Sequence, residues 1–170
     1  MSAGAIMTAV ILCSILLLTL LASYNALMQL RREVRAAWSH LDDQLKQRYQ
    51  LVPQLIQILQ NRGGEVGEKI TALSNARNKA AIALNPQQLA EAESNLSLAI
   101  RSAYSAAAVP DALRQQLMQN DRALMQSVWN YNNVVRTLNE SICTFPTVYA
   151  ARLIGLKFQP FFELRTARGA

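Results

Sequence analysis

The first thirty residues contain no Asp, Glu, Lys, Arg or His, and Ala3–Ala22 is apolar almost throughout. Twenty helical residues rise about 30 Å, the thickness of a bilayer's hydrocarbon core. Ten of the twenty are Leu, Ile or Val, each favouring insertion by roughly 0.3–0.6 kcal/mol. The run therefore predicts a transmembrane helix, and a buried core helix of that length without a charge is disfavoured. Whatever follows has to fold beside a bilayer.

A cleaved signal peptide is the competing interpretation. No Lys or Arg precedes the run, it exceeds the roughly 7–15 residues of a signal core, and Ala22-Ser23-Tyr24 makes a poor cleavage site. The expectation is a permanent anchor over residues 1–24, leaving residues 25–146 for a helical domain and residues 147–170 for a short helix and tail. Arg31, Arg32 and Arg35 follow the run directly. The positive-inside rule then expects a single-pass protein of the cell (inner) membrane, with its N-terminus outside and the domain in the cytoplasm.

Beyond the anchor, about 145 residues suffice for one domain with its own core. The net charge of +6 comes from 17 basic and 11 acidic residues spread along the chain. Without a block of like charge, a nucleic-acid partner is not expected. Anionic lipid is the simpler counterpart of a mildly basic domain. Cys13 lies in the anchor and Cys143 far along the domain, so neither a disulfide framework nor a metal spacing is present.

From Leu27 onward, apolar residues recur at gaps of three and four: Leu27, Leu30, Val34, Trp38, Leu41, Leu45, Val52, Leu55 and Leu59. This is an amphipathic stripe. Nothing breaks the chain between anchor and stripe, so one helix is expected to run through both, kinked near Tyr49 by Pro53. Asn61-Arg62-Gly63-Gly64 is its stop. A second stripe follows (Val66, Ile70, Leu73, Ala80, Leu84). Asn85-Pro86 then reads as an N-cap with proline at the first helical position. A third helix runs to about Ala107 with Leu89, Leu96, Ile100 and Ala103 inward. After Val109-Pro110-Asp111, a fourth carries Leu113, Leu117, Leu124, Val128, Tyr131, Val135, Leu138 and Ile142, stopping at Phe145-Pro146. No stretch alternates with period two. The predicted fold class is all-α: one N-terminal transmembrane helix followed by an antiparallel four-helix bundle.

No constellation for catalysis emerges. The single histidine, His40, cannot furnish a di-iron site, which needs a Glu-x-x-His on each of two helices. His40-Leu41-Asp42-Asp43 reads as a solvated helix face. Zinc, phosphate-loop and nucleophile-elbow motifs are absent. The expectation is no catalytic residue, no metal, no cofactor and no small-molecule substrate. Two features remain as interaction candidates. Asn130, Asn132 and Asn133 crowd a helix where asparagine is a poor former, which suggests a hydrogen-bond network fixing register or a polar binding patch. Phe158, Phe161 and Phe162 fall within five residues beside Lys157, Arg165 and Arg168. They suggest rings folded back on the bundle, a membrane-interface segment, or a docking site.

The stretch from Tyr24-Asn25 through Leu30-Arg31, Ala37-Trp38-Ser39, Asp42-Asp43-Gln44-Leu45-Lys46-Gln47-Arg48 and Pro53 resembles the opening signature of the bacterial LemA family. Ala76-Arg77, Tyr131-Asn132 with Val135-Arg136, Ile142 with Phe145-Pro146, and Phe161-Phe162-Glu163 follow in the same order. The chain departs from the family at Glu65-Val66, where many members carry His-Glu, and at Val109-Pro110, where an aromatic precedes the proline. The resemblance implies a membrane helix, an antiparallel bundle and no enzymatic activity. The expected role is a membrane-anchored scaffold or interaction protein with an unidentified membrane or cytoplasmic protein partner. The alternative is an adaptor or regulatory subunit of a membrane enzyme such as a protease.

Overall fold

A computed structural model describes residues 3–62, 67–83, 85–106 and 109–164. Gly63, Gly64, Glu65, Val66, Leu84, Ala107, Arg165 and Arg168, which the sequence placed in a stop, in stripes or in the tail, lie outside the described residues. The protein is all-α, and the described residues contain no strand. Five helices follow one another: α1 (Ala3–Arg62), α2 (Gly67–Ala81), α3 (Pro86–Ala106), α4 (Asp111–Cys143) and α5 (Thr147–Leu153).

Helix α1 is a single helix from the apolar run to Arg62, with Pro53 inside it. Proline costs the helix one backbone donor, and Pro53 sits on its exposed side while Val52, Leu55 and Leu59 are buried. The start of α3 follows the expected chemistry. Asn85 Oδ1 accepts a hydrogen bond from the Gln88 N–H at 2.8 Å, and Pro86 opens the helix where no donor is needed. Asp111 opens α4, where a carboxylate favours the positive end of the helix dipole.

The chain divides into two compact units. One comprises Met1–Ala36 and Asn133–Gln159. Within it Leu27, Val34, Val135, Leu138, Ile142, Ala150 and Ala151 are buried. Ten apolar side chains between Ile6 and Leu21 are instead 51–67% exposed, on every side of α1. The hydroxyls of Thr8, Ser14, Thr19 and Ser23 each donate to a backbone carbonyl three or four residues earlier. These are the arrangements a helix needs in hydrocarbon, where a bare donor costs several kcal/mol. Helix α1 is long and apolar enough to cross a membrane. In the same unit α5 ends in a Schellman turn. Gly155 adopts φ +62°, its N–H donates to Arg152 O, and the Leu156 N–H donates to Ala151 O.

The other unit comprises Ala37–Asn132 and Pro160–Ala170. Four helical segments share its core: Val52, Leu55 and Leu59 of α1, Leu73 and Ala76 of α2, Leu96, Ala99, Ile100 and Ala103 of α3, and Leu113 and Leu117 of α4. Helix α2 packs along α3. Residue 38 of α1 meets residue 131 of α4, whereas residues 44 and 48, further along α1, meet residues 120 and 121, earlier in α4, so these two helices are antiparallel.

Candidate functional site

Two constructions in the second unit place side chains by more than apolar burial. The first joins the C-terminal segment to α4. The Asn132 side chain grips the main chain of Phe162 from both sides: its Oδ1 accepts from the Phe162 N–H at 2.8 Å, and its Nδ2 donates to the Phe162 carbonyl at 2.9 Å. The hydroxyl of the adjacent Tyr131 donates to the Pro160 carbonyl at 3.1 Å. An irregular segment thus has its polar backbone satisfied by side chains of a helix, which a buried coil requires. The Phe162 ring is fully buried. Its centroid lies 6.1 Å from Trp38, which in turn meets Tyr131 at 5.3 Å, both edge-to-face. Burial pushes the Tyr131 hydroxyl pKa up.

The sequence-derived candidates therefore separate. Phe162 is inside. Phe158 is exposed, and Phe161 lines a hollow of about 370 Å³ with Gln87, Ala90, Glu91, Pro160 and Glu163. Asn132 is the clamp, whereas Asn130 and Asn133 are exposed. In the first unit Asn139 repeats the device, pairing both polar backbone groups of Gln159 with its side chain, each at 2.9 Å. His40 is exposed, and Asp42 pairs with Lys46 at 2.6 Å on the solvated face. Asp42 holds the Lys46 ammonium pKa up.

The second construction is a polar layer through the core. Glu93 has no exposed surface and accepts a hydrogen bond from the Tyr49 hydroxyl. Arg48 Nη1 stands 3.8 Å from Glu93 Oε2, and Arg48 Nη2 lies 3.4 Å from Asp121 Oδ1. Asn120 Nδ2 donates to the Gln44 carbonyl at 3.0 Å. Arg48 Nη1, Glu93 Oε2 and Asn120 Oδ1 have no hydrogen-bond partner among the described residues. Burial raises the Glu93 pKa, opposed by the Tyr49 hydrogen bond and the Arg48 charge. Burial, then the neighbouring Glu93 carboxylate, lift the Tyr49 pKa far above its ordinary value.

The layer does have a signal in the sequence. Between Leu45 and Val52, Leu89 and Leu96, and Leu117 and Leu124, the stripe skips a turn only if polar residues are ignored. Arg48, Glu93 and Asn120 occupy those inward positions at gaps of three and four. Chemically, the layer links α1, α3 and α4 through a buried carboxylate, a tyrosine hydroxyl and a guanidinium. Among the described residues no three His, Cys, Asp or Glu side chains gather as a metal ion would require.

A sequence model described as the LemA family matches residues 37–170. No curated protein matches the chain.

Proposed function

The chain belongs to the LemA family, and on that premise we propose that it is a non-enzymatic, membrane-anchored helical protein that holds or organises other proteins at the cytoplasmic face of the cell (inner) membrane. The observation that carries this proposal is the first third of α1. Its apolar side chains are exposed all round, and its hydroxyls are turned onto its own backbone. Water makes such a surface unfavourable and hydrocarbon makes it favourable. The exposed Arg31, Arg32 and Arg35 support a cytoplasmic location for the rest. The polar layer supports an architectural role, because Glu93 is closed off from any bound molecule.

Carbonate extraction tests the anchor: the uncleaved chain is expected in the membrane pellet. A reporter that is bright only in the cytoplasm, fused after Ala170, is expected to fluoresce, and a dark reporter with an active phosphatase fusion would reverse the orientation. Co-purification in mild detergent separates the two interaction roles. A scaffold brings down itself or several proteins, whereas an adaptor brings down one enzyme in fixed ratio.

A further inference from the structure

Among the exposed apolar side chains of the second unit, three lie together on α4. Met118, Met125 and Trp129 of α4 are 49%, 49% and 67% exposed. Gaps of seven and four residues put them on one helical face, away from the buried Leu113, Leu117, Leu124 and Tyr131. Scattered exposed apolar residues are ordinary, but two methionines and a tryptophan aligned over about three turns mark a contact surface. Met118 also lines a cleft of about 80 Å³ whose walls include Arg48, Arg101, Tyr104 and Asp121.

Basic side chains flank this line. Arg114 and Arg122 stand one turn to either side of Met118, and all three, like Arg101 on α3, are exposed. Burial raises the Tyr104 pKa; the Arg48 charge opposes this, Asp121 adds to it and Arg114 opposes it. The cleft's carboxylate, Asp121, is paired with Arg48. Among the described residues, no acidic side chain lies within ion-pair distance of Arg101, Arg114 or Arg122.

We propose that this face of α4, with the adjoining cleft, docks an amphipathic helix of a partner protein whose apolar stripe is bordered by Asp or Glu. The inference rests on the interaction role proposed above and specifies the partner's chemistry. Apolar anchors at helical spacing cover Met118, Met125 and Trp129, while carboxylates meet guanidinium groups that match them bidentately. Methionine side chains repack readily, so helices of differing contour fit the same line. A line of anchors beside a hollow is complementary to a rod rather than to a plane, which favours a helix over a membrane surface.

The test uses the full-length chain in phosphatidylcholine nanodiscs and two fluorescein-labelled synthetic helices of about 22 residues. They share Leu at alternating gaps of three and four and differ only in Glu or Lys borders. The Glu-bordered helix is expected to bind at least about tenfold more tightly than the Lys-bordered one. Trp129→Ser with Met125→Gln should weaken its binding about tenfold without changing helicity or melting. Arg114→Glu with Arg122→Glu should reverse the preference. Equal binding of both helices, or a preference untouched by charge reversal, overturns the proposal. It is also overturned if the Trp129 variant keeps its peptide binding but loses either adhesion to phosphatidylserine vesicles or a dimer seen by sedimentation. Those results would make the face a membrane contact or a self-interface. Failure here with the chain still in the carbonate pellet leaves the anchored role standing, whereas release by carbonate removes that role and leaves peptide binding measurable.

Discussion

Phe162 and Glu93 are both completely buried, and they test opposite kinds of interaction. Truncating a buried phenylalanine costs about 3–5 kcal/mol. Removing the Asn132 amide instead strands the Phe162 N–H and carbonyl, at about 1–3 kcal/mol. Urea unfolding of the detergent-solubilised full chain should place Phe162→Ala in the first range and Asn132→Ala in the second. Phe158→Ala, at an exposed position, should stay within about 0.5 kcal/mol of the parent. For Glu93 the sign follows from linkage. Its folded pKa is raised above the ordinary 4.5, so between the unfolded and folded values the native state binds more protons than the unfolded chain. Stability from this group is full below about 4.5 and lost as pH rises through the folded value. The stability of Glu93→Gln relative to the parent should therefore improve as pH increases across that window. A flat difference between pH 4 and neutrality, read by urea unfolding, would mean that burial does not set the Glu93 titration. Three phenylalanines within five residues were visible from the sequence. Which ring turns inward was not, because in an irregular segment that choice belongs to Asn132, Tyr131 and Trp38.

At the scale of the element, local chemistry was sufficient. The Asn85 cap and Pro86 start of α3 are written in two adjacent residues, and the Asn85 side chain satisfies a donor that the helix itself cannot. Asn85→Ala should cost about 1 kcal/mol. Gly155 is a purer case. A Cβ there would touch nothing within 4 Å, so any loss on Gly155→Ala comes from the left-handed backbone alone, about 1–2 kcal/mol. Thermal unfolding of the two variants checks both values. A loss near zero at Gly155 would show that α5 ends equally well with another backbone conformation. The stripes were equally legible except where a polar residue took an inward position. A hydropathy pattern registers Arg48, Glu93 and Asn120 as gaps, since on each helix taken singly nothing indicates a partner.

For the whole molecule, the proposed membrane location rests on the apolar run. Leu12→Arg near its centre should cost about 2.5–3.5 kcal/mol of insertion, making membrane retention partial; complete retention after carbonate extraction would argue that the span lies elsewhere in α1. That α1 is apolar enough to cross a membrane, that it continues as one helix to Arg62, and that four helical segments pack around one core were determined by the sequence by itself. Those properties depend on periodicity, chain length and caps, all of which act over a few neighbouring residues. Only the tertiary structure decided the rest. Arg48 meets Glu93 and Asp121 across separations of 45 and 73 positions, Asn132 meets Phe162 across 30, and the Met118–Trp129 line is a surface only because nothing in its unit covers it. A side chain's burial and its hydrogen bonds are properties of a pair, and the second member of the pair is supplied by the fold.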